Sequence, residues 1–293
     1  MPSPKPLAER LGYPADDRLL IVNCDDLGVS HAANVATLAA MVDGVATSAT
    51  LMVPCPFARE AARMFVGLDV GVHLTLTSEY PEYRWGSLTG RASLHDDDGY
   101  FPRTTAAAIA RVEESDMRAE CRAQIDQALG WGIDVTHLDA HMHAVEARED
   151  LFHVLLDLAA EYGLPVRMIE TEQAERLGLA AFHSVERAEA RGIVSNDHLI
   201  YPWPRPTRDV FFETLPGLPA GVSEIFAHPV LDGEELRGYD LSNTAIRIHD
   251  AACLTDPTVQ ELIEQQGFKP ISYRPLRELQ RHGKVSANDS MNE

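Results

Sequence analysis

The chain has 293 residues, 45% of them hydrophobic, and a formal net charge of −20 at pH 7. Its length allows one large core, and its negative charge makes a nucleic-acid backbone or an anionic membrane surface an unfavourable partner. Since no stretch approaches the roughly 18 uninterrupted apolar residues of a membrane span, and the first ten residues lack a signal-peptide core, we expect a cytoplasmic protein.

Strand-like and helix-like segments alternate along the chain. The pattern predicts strands at 19–24, 45–53, 69–75, 135–138, 165–169, 222–227 and 268–273. It predicts helices at 31–43, 57–66, 113–129, 150–162, 171–191 and 257–266.

Repeated strand-then-helix units are typical of a parallel sheet with right-handed crossovers. About seven such units favour an α/β barrel over an open sheet. We expect a single barrel domain over 1–283 and a polar, disordered tail at 284–293. Long loops are expected at 78–101 and 196–206.

Polar side chains suited to metal binding and proton transfer occur at the carboxyl ends of four predicted strands. They are Asp25 and Asp26, then His73, then the 137–141 cluster, then His228. In a barrel those strand ends meet at one face. Residues distant in sequence would therefore become neighbours in space.

The simplest catalytic metal site has three protein ligands and an open position. Asp26, His73 and His141 would supply two imidazoles and one carboxylate, a set that suits zinc and related divalent ions. Asp25 would then be free to act as a general base towards water, and His228 could be the complementary acid.

The cluster His137, Asp139, His141 and His143 has a period of two residues. On an extended strand all four side chains would share one face. Asp139 could orient a ligating histidine, and His137 and His143 stay open as alternative ligands. Taken singly, each of these residues has an ordinary structural explanation, such as a turn aspartate or a hydrogen-bonded core histidine.

Aromatic side chains are concentrated in the two long loops. Tyr83, Trp85 and Trp203 could line a sugar-sized cleft and bind substrate there. Ordinary loop packing is the alternative.

Six short segments resemble the motifs of the YdjC-like carbohydrate deacetylases, the chitooligosaccharide deacetylase family that includes hopanoid-associated members. They are 23–28 (NCDDLG), 45–50 (VATSAT), 71–77 (GVHLTLT), 136–141 (THLDAH), 227–229 (AHP) and 271–274 (ISYR). The similarity runs from about residue 19 to 277, with Cys24 and Ala140 standing where the family commonly has alanine and serine.

The resemblance implies a deformed, seven-stranded (β/α) barrel that removes an N-linked acetyl group from an amino sugar. It assigns the metal ligands to Asp26, His73 and His141, the base to Asp25 and the acid to His228. The cofactor is one divalent ion: ligand chemistry favours Zn²⁺, and the family resemblance favours Mg²⁺.

The sequence therefore predicts a metal-dependent carbohydrate N-deacetylase whose partner is a small N-acetylated sugar, with neither nucleic acid nor membrane as partner. A homo-oligomer stays open. Two alternatives also stay open: a glycosidase on a related barrel, and a catalytically silent sugar-binding protein.

Overall fold

The computed structural model describes residues 5–176 and 183–289. Within them, seven strands form one parallel sheet with the order β4-β3-β2-β1-β6-β5, and β7 also pairs with β1. The strands are β1 (Arg18–Leu27), β2 (Ser48–Leu51), β3 (Val70–Leu74), β4 (Leu138–Ala140), β5 (His198–Ile200), β6 (Gly221–Ala227) and β7 (Phe268–Pro270).

Helices connect these strands and cover the sheet. They are α1 (Leu7–Arg10), α2 (His31–Val42), α3 (Ala58–Met64), α4 (Thr105–Arg111), α5 (Glu114–Gly130), α6 (Glu149–Tyr162), α7 (Thr171–Arg176), α8 (Ser184–Ala190), α9 (Thr207–Thr214), α10 (Glu234–Tyr239), α11 (Thr244–Leu254), α12 (Pro257–Gln265) and α13 (Arg274–Asp289). Short 3₁₀ turns occur at Ala92–Leu94, His141–Glu146 and Leu215–Gly217.

Helix starts follow local sequence chemistry. The Ser30 side chain accepts a hydrogen bond from the Ala33 N–H, 3.1 Å away, at the start of α2. Asp256 accepts from the Thr258 N–H at 2.8 Å, and Pro257 occupies the first position of α12. Side-chain acceptors and proline at these positions satisfy or avoid free N–H groups, which explains why α2 and α12 begin where they do.

Strand β1 is the centre of the sheet. Its first three residues pair with β7, its residues Arg18–Cys24 pair with β6, and its carboxyl half pairs with β2. Residues buried on both faces are expected of a central parallel strand, and nine of its ten residues are buried. The β1 carboxyl end therefore lies at the centre of the strand-end face.

A short segment connects β4 to the residues that precede β5. The Leu138 N–H donates to the Pro165 carbonyl and the Arg167 N–H donates to the Leu138 carbonyl, both at 3.0 Å. On the other side, the Val166 N–H donates to the Val194 carbonyl at 3.1 Å. The predicted deformed α/β barrel of about seven parallel strands is thus confirmed, although segment 165–169 is reduced to one bridge.

Several predicted boundaries were wrong. Strand β4 begins at Leu138 rather than at 135, and β5 falls in the stretch predicted as the loop 196–206. Helices α1, α4, α9, α10, α11 and α13 were not predicted.

Two predicted segments, 171–191 and 284–293, lie only partly within the residues that the structure describes. The predicted helix 171–191 contains α7 and α8, and residues 177–182 lie outside the described residues. The backbone of α13 extends to Asp289, into the segment predicted as a disordered tail, and 290–293 lie outside the description. None of the described helices is both long enough and apolar enough to cross a bilayer.

Candidate metal centre and active site

Asp26 lies at the carboxyl end of β1, in a left-handed backbone conformation with φ of 62°. This conformation is uncommon for a residue with a side chain. Asp26 Oδ1 lies 3.5 Å from His73 Nε2 at the end of β3, and 3.3 Å from His141 Nδ1 just after β4. Three strand ends thus bring the predicted ligands together.

The Asp26–His73–His141 triad fits a cation. All three side chains are buried, and their candidate donor atoms lie within 4.8 Å of one another. Asp26 Oδ1 is a buried oxygen with no hydrogen-bond partner among the described residues. Because a buried carboxylate oxygen without a partner is costly, a metal ion is a suitable occupant.

The second oxygen of Asp26 is held by an arginine. Arg247 on α11 donates from Nη1 to Asp26 Oδ2 at 2.9 Å, and from Nε to Asp240 at 2.7 Å. Burial alone would raise the pKa of Asp26, but His228, His141, His73 and Arg247 hold it well below its usual range. Asp26 therefore stays ionised.

Each triad histidine has a carboxylate on its other ring nitrogen. His73 Nδ1 contacts Asp139 Oδ1, and His141 Nε2 lies 3.1 Å from Glu79 Oε2. Metal-binding histidines in proteins commonly have such partners. Burial alone would lower the pKa of both imidazoles, but the carboxylates raise it to about 10 for His73 and about 9 for His141. The pocket thus strongly favours positive charge.

Asp25 lies beside this triad, held by two side chains. Arg167 donates from Nη1 and Nη2 to its two oxygens at 2.7 and 2.8 Å, and Asn23 Nδ2 donates to Oδ1 at 2.7 Å. The same guanidinium bonds Asp139 and Glu224, each at 2.8 Å. Such a paired fork fixes the carboxylate plane.

His228 follows β6, on the opposite side of β1 from β3 and β4. Its backbone N–H donates to Asp250 at 2.9 Å, and its ring lies edge-to-face with Trp203 and Phe226 at centroid distances of 4.8 and 5.6 Å. Burial lowers its pKa, although Asp26 and Asp25 act in the opposite direction.

These residues surround a cavity of about 360 Å³ at the carboxyl ends of the strands. The size fits a small-molecule site. The lining combines acids, bases and aromatic rings: Asp25, Asp26, His73, Glu79, Tyr80, Ala140, His141, Met142, His143, Arg167, Tyr201, Trp203, Phe226, His228, Asn243 and Arg247.

The period-two face expected of the histidine cluster does not form. His137 is fully buried one layer deeper in the barrel, with its ring stacked on Tyr273 at 3.7 Å. Beyond Ala140 the strand ends, and Met142 and His143 take left-handed backbone angles. His143 lines the cavity and bonds Glu146. Neither His137 nor His143 belongs to the triad.

The predicted aromatic residues divide into two groups. Trp203 lines the cavity, with Arg247 over its ring at 5.6 Å. Tyr83 donates its hydroxyl to the Val29 carbonyl at 2.7 Å and stacks on Tyr239, and buried Trp85 donates to the Thr77 carbonyl at 2.8 Å. Tyr83 and Trp85 are packing residues there, so the geometry does not support their prediction as substrate contacts.

The charged site residues that were not predicted from the sequence are Arg167, Arg247 and Glu79. Arg167 lies directly after the closing bridge of the barrel, where a charged residue in the apolar segment 165–169 was an available signal. Arg247 lies on α11, which was not predicted as a helix, and Glu79 lies in a loop.

A parallel (β/α) barrel with an aspartate and two histidines gathered at its strand ends defines the class of protein: a barrel with a candidate metal-centred active site. The family model described as YdjC-like protein matches residues 19–265. The chain belongs to the YdjC-like family.

Named relatives cover nearly the whole chain. A carbohydrate deacetylase of Geobacillus stearothermophilus is 32% identical over 89% of this chain and 99% of its own length. One from Thermus thermophilus is 35% identical over 93% of this chain and 98% of its own length. The crystal structure of an Enterococcus faecalis V583 protein, described as a candidate cellobiose-phosphate cleavage protein, superposes with a TM-score of 0.76 at 26% identity, covering 89% of this chain and 99% of that one.

Proposed function

We propose that this protein hydrolyses the N-acetyl group of an amino sugar and releases acetate, using one divalent metal ion. The observation that carries the proposal is the buried Asp26–His73–His141 triad with Asp25 beside it. The relatives named carbohydrate deacetylase support the same reaction class.

Asp26 Oδ1, His73 Nε2 and His141 Nδ1 would hold the metal. Bound there, a divalent ion would supply Lewis acidity towards the acetyl carbonyl and the attacking water. Two imidazoles favour Zn²⁺, whereas Mg²⁺ prefers all-oxygen shells; we propose Zn²⁺ first and keep Mg²⁺ as the alternative.

Asp25 accepts the proton of the attacking water in this mechanism. Its carboxylate is held on both oxygens by Arg167 and on one by Asn23. Because the two hydrogen bonds from Arg167 prevent rotation of the Asp25 carboxylate, its oxygens have one fixed orientation towards the water. Orientation of the reacting groups before the chemical step is a main source of rate enhancement.

His228 donates the proton that the departing nitrogen needs. It approaches the cavity from β6, across β1 from the triad histidines, so it can reach the leaving group from the other side. Burial lowers its pKa, which makes its imidazolium a stronger acid, and the charges of Asp25 and Asp26 favour the protonated form. Trp203 supplies an apolar wall for a sugar ring.

An acetate-release screen tests the proposal. The purified chain is incubated with N-acetylated mono- and oligosaccharides, with and without a chelator, and bound metal is measured by elemental analysis. We expect acetate from at least one amino sugar, loss of activity with chelator, and recovery with Zn²⁺ or Mg²⁺. Activity that is unaffected by complete metal removal would refute the metal-dependent mechanism.

Glycosidic cleavage is the second candidate, because the Enterococcus faecalis structure is described in terms of cellobiose-phosphate cleavage. That reaction needs two carboxyl groups flanking the bond, about 5–9 Å apart. Here Asp25 and Asp26 are each bound to an arginine, which favours deacetylation. Product analysis separates the candidates: a deacetylase leaves the oligosaccharide length unchanged. Tight sugar binding without any product would indicate a silent binding protein.

A further inference from the structure

Glu79 is an acidic residue that the proposed mechanism does not use. It lies five residues after the end of β3, at the start of the long loop, and lines the cavity. Its carboxylate Oε2 is 3.1 Å from His141 Nε2. Its side chain is 21% exposed, whereas Asp139, the partner of His73, is fully buried.

The two triad histidines present different ring nitrogens to Asp26. His73 points Nε2 at Asp26 Oδ1 and gives Nδ1 to Asp139. His141 does the reverse: Nδ1 faces Asp26 Oδ1 and Nε2 faces Glu79. A neutral imidazole carries one N–H and one lone pair, so the carboxylate partner selects which nitrogen remains free for a metal.

The backbone around Glu79 is held in place. The Ser78 N–H donates to the Pro102 carbonyl at 3.0 Å, and Arg103 Nε donates to the Glu79 carbonyl at 3.2 Å. Ser78 and the Glu79 carbonyl are therefore both hydrogen-bonded to residues at the far end of the same loop. This anchoring keeps the Glu79 carboxylate on the Nε2 side of His141.

We propose that Glu79 is a positioning residue for the metal centre: it fixes His141 as the Nε2–H tautomer, so that His141 binds the metal through Nδ1. This inference rests on the proposed metal site and goes beyond it, because it concerns a residue outside the ligand set. Removing an outer carboxylate partner of a metal-binding histidine typically weakens metal binding about 10–100-fold.

Metal affinity tests the proposal without reference to turnover. Zn²⁺ dissociation constants are measured by competition with a chromophoric chelator for wild type, Glu79→Ala, Glu79→Gln and the control Glu82→Gln, an exposed acid in the same loop. We expect Glu79→Ala to bind about 10–100-fold more weakly. Glu79→Gln should be affected less, since its amide oxygen can still accept from Nε2–H, and Glu82→Gln should match wild type.

Nitrogen-15 NMR of the histidine rings in the Zn²⁺-loaded wild type provides the second measurement. We expect His141 as the Nε2–H form and His73 as the Nδ1–H form. Coordination of His141 through Nε2, with Nδ1 carrying the proton, would overturn the proposal. A folded Glu79→Ala variant whose Zn²⁺ dissociation constant lies within two-fold of that of wild type would also overturn the proposal.

The outcomes also separate this inference from the proposed function. Wild type that binds Zn²⁺ and releases acetate, together with an unaffected Glu79→Ala, refutes only the role of Glu79. A wild-type chain that binds neither Zn²⁺ nor Mg²⁺ refutes both.

Discussion

At the scale of single residues, adjacent Asp25 and Asp26 have different surroundings. Asp25 is held by Arg167 and Asn23. Asp26 has one oxygen on Arg247, and its other oxygen faces the two triad histidines without a hydrogen-bond partner among the described residues. Adjacent carboxylates in one cavity can thus serve as base and ligand because different side chains constrain them. A similar division of roles between two acids is known in other active sites.

The Asp25→Asn substitution is expected to remove most of the activity and to leave the metal bound. An amide cannot accept the proton of water, and general acid–base catalysis typically contributes about 10²–10⁴-fold in rate. The measurement is initial acetate release together with metal content. Asp25 also belongs to a second possible ligand group with His73 and Asp139, so loss of metal from this variant would make Asp25 a ligand.

The His141→Ala substitution is expected to abolish tight metal binding, because it removes one of three protein ligands. The matched control is His143→Ala, which removes a cavity-lining imidazole that bonds Glu146 rather than a triad residue. Metal titration of both variants is the measurement. Full occupancy in His141→Ala, or its loss in His143→Ala, would show that the ligand set is wrong.

At the scale of elements, the strand ends of β1, β3 and β6 could be located from the sequence. Apolar runs predict these strands, and Asp26, His73 and His228 lie at or directly after their carboxyl ends. Strand β4 was misplaced because the run 135–138 looks more strand-like than 138–140, which contains a buried aspartate. Residues 137–143 do not share one strand face because β4 ends at Ala140, where the backbone turns.

Helix α11 was missed because two of its four buried residues are charged. Arg247 and Asp250 lie three residues apart, are both buried, and point towards the site. A sequence pattern cannot distinguish a buried arginine paired with Asp26 from an exposed one. The arginine partner of Asp26 is therefore accessible only through the structure, whereas Asp and His at strand ends, including Asp139 on His73, are accessible from the sequence.

The contact between β3 and the segment preceding β4 depends on a glycine. A Cβ at Gly71 would lie 2.5 Å from His137 Nδ1 and 2.7 Å from the His137 carbonyl oxygen. Gly71→Ala should lower the free energy of unfolding by about 1–3 kcal/mol, the usual cost of overpacking. Urea denaturation is the measurement.

Gly130→Ala is the matched control for this substitution. Gly130 ends α5, and nothing lies within 4 Å of its built Cβ. Because alanine favours helix over glycine, this variant should be as stable as wild type or more so. Equal stability of the two variants would contradict the tight approach at Gly71.

At the scale of the whole molecule, the barrel interior below the site is polar. His137 stacks on Tyr273, Tyr273 donates to Glu224, and Glu224 accepts from Arg167, which holds Asp25. Buried polar groups of this kind are tolerated when they bond one another. His137 is the exception, since its Nε2 has no partner among the described residues.

This buried imidazole makes stability depend on pH. Burial lowers the pKa of His137 from 6.5 to about 3, so between those values the unfolded chain binds a proton that the folded chain does not. The free energy of unfolding should therefore fall as pH falls from 6.5 towards 3. This one residue contributes at most about 1.4 kcal/mol per pH unit.

Urea unfolding of wild type and His137→Gln between pH 7.5 and 4.5 measures that contribution. Glutamine does not titrate, so the variant should lose less stability on acidification, whatever the change in its stability at neutral pH. His282→Gln, at an exposed histidine, should follow wild type. Parallel curves for all three proteins would mean that His137 takes up its proton in the folded state, and that the layer beneath the site is more accessible to water than its burial indicates.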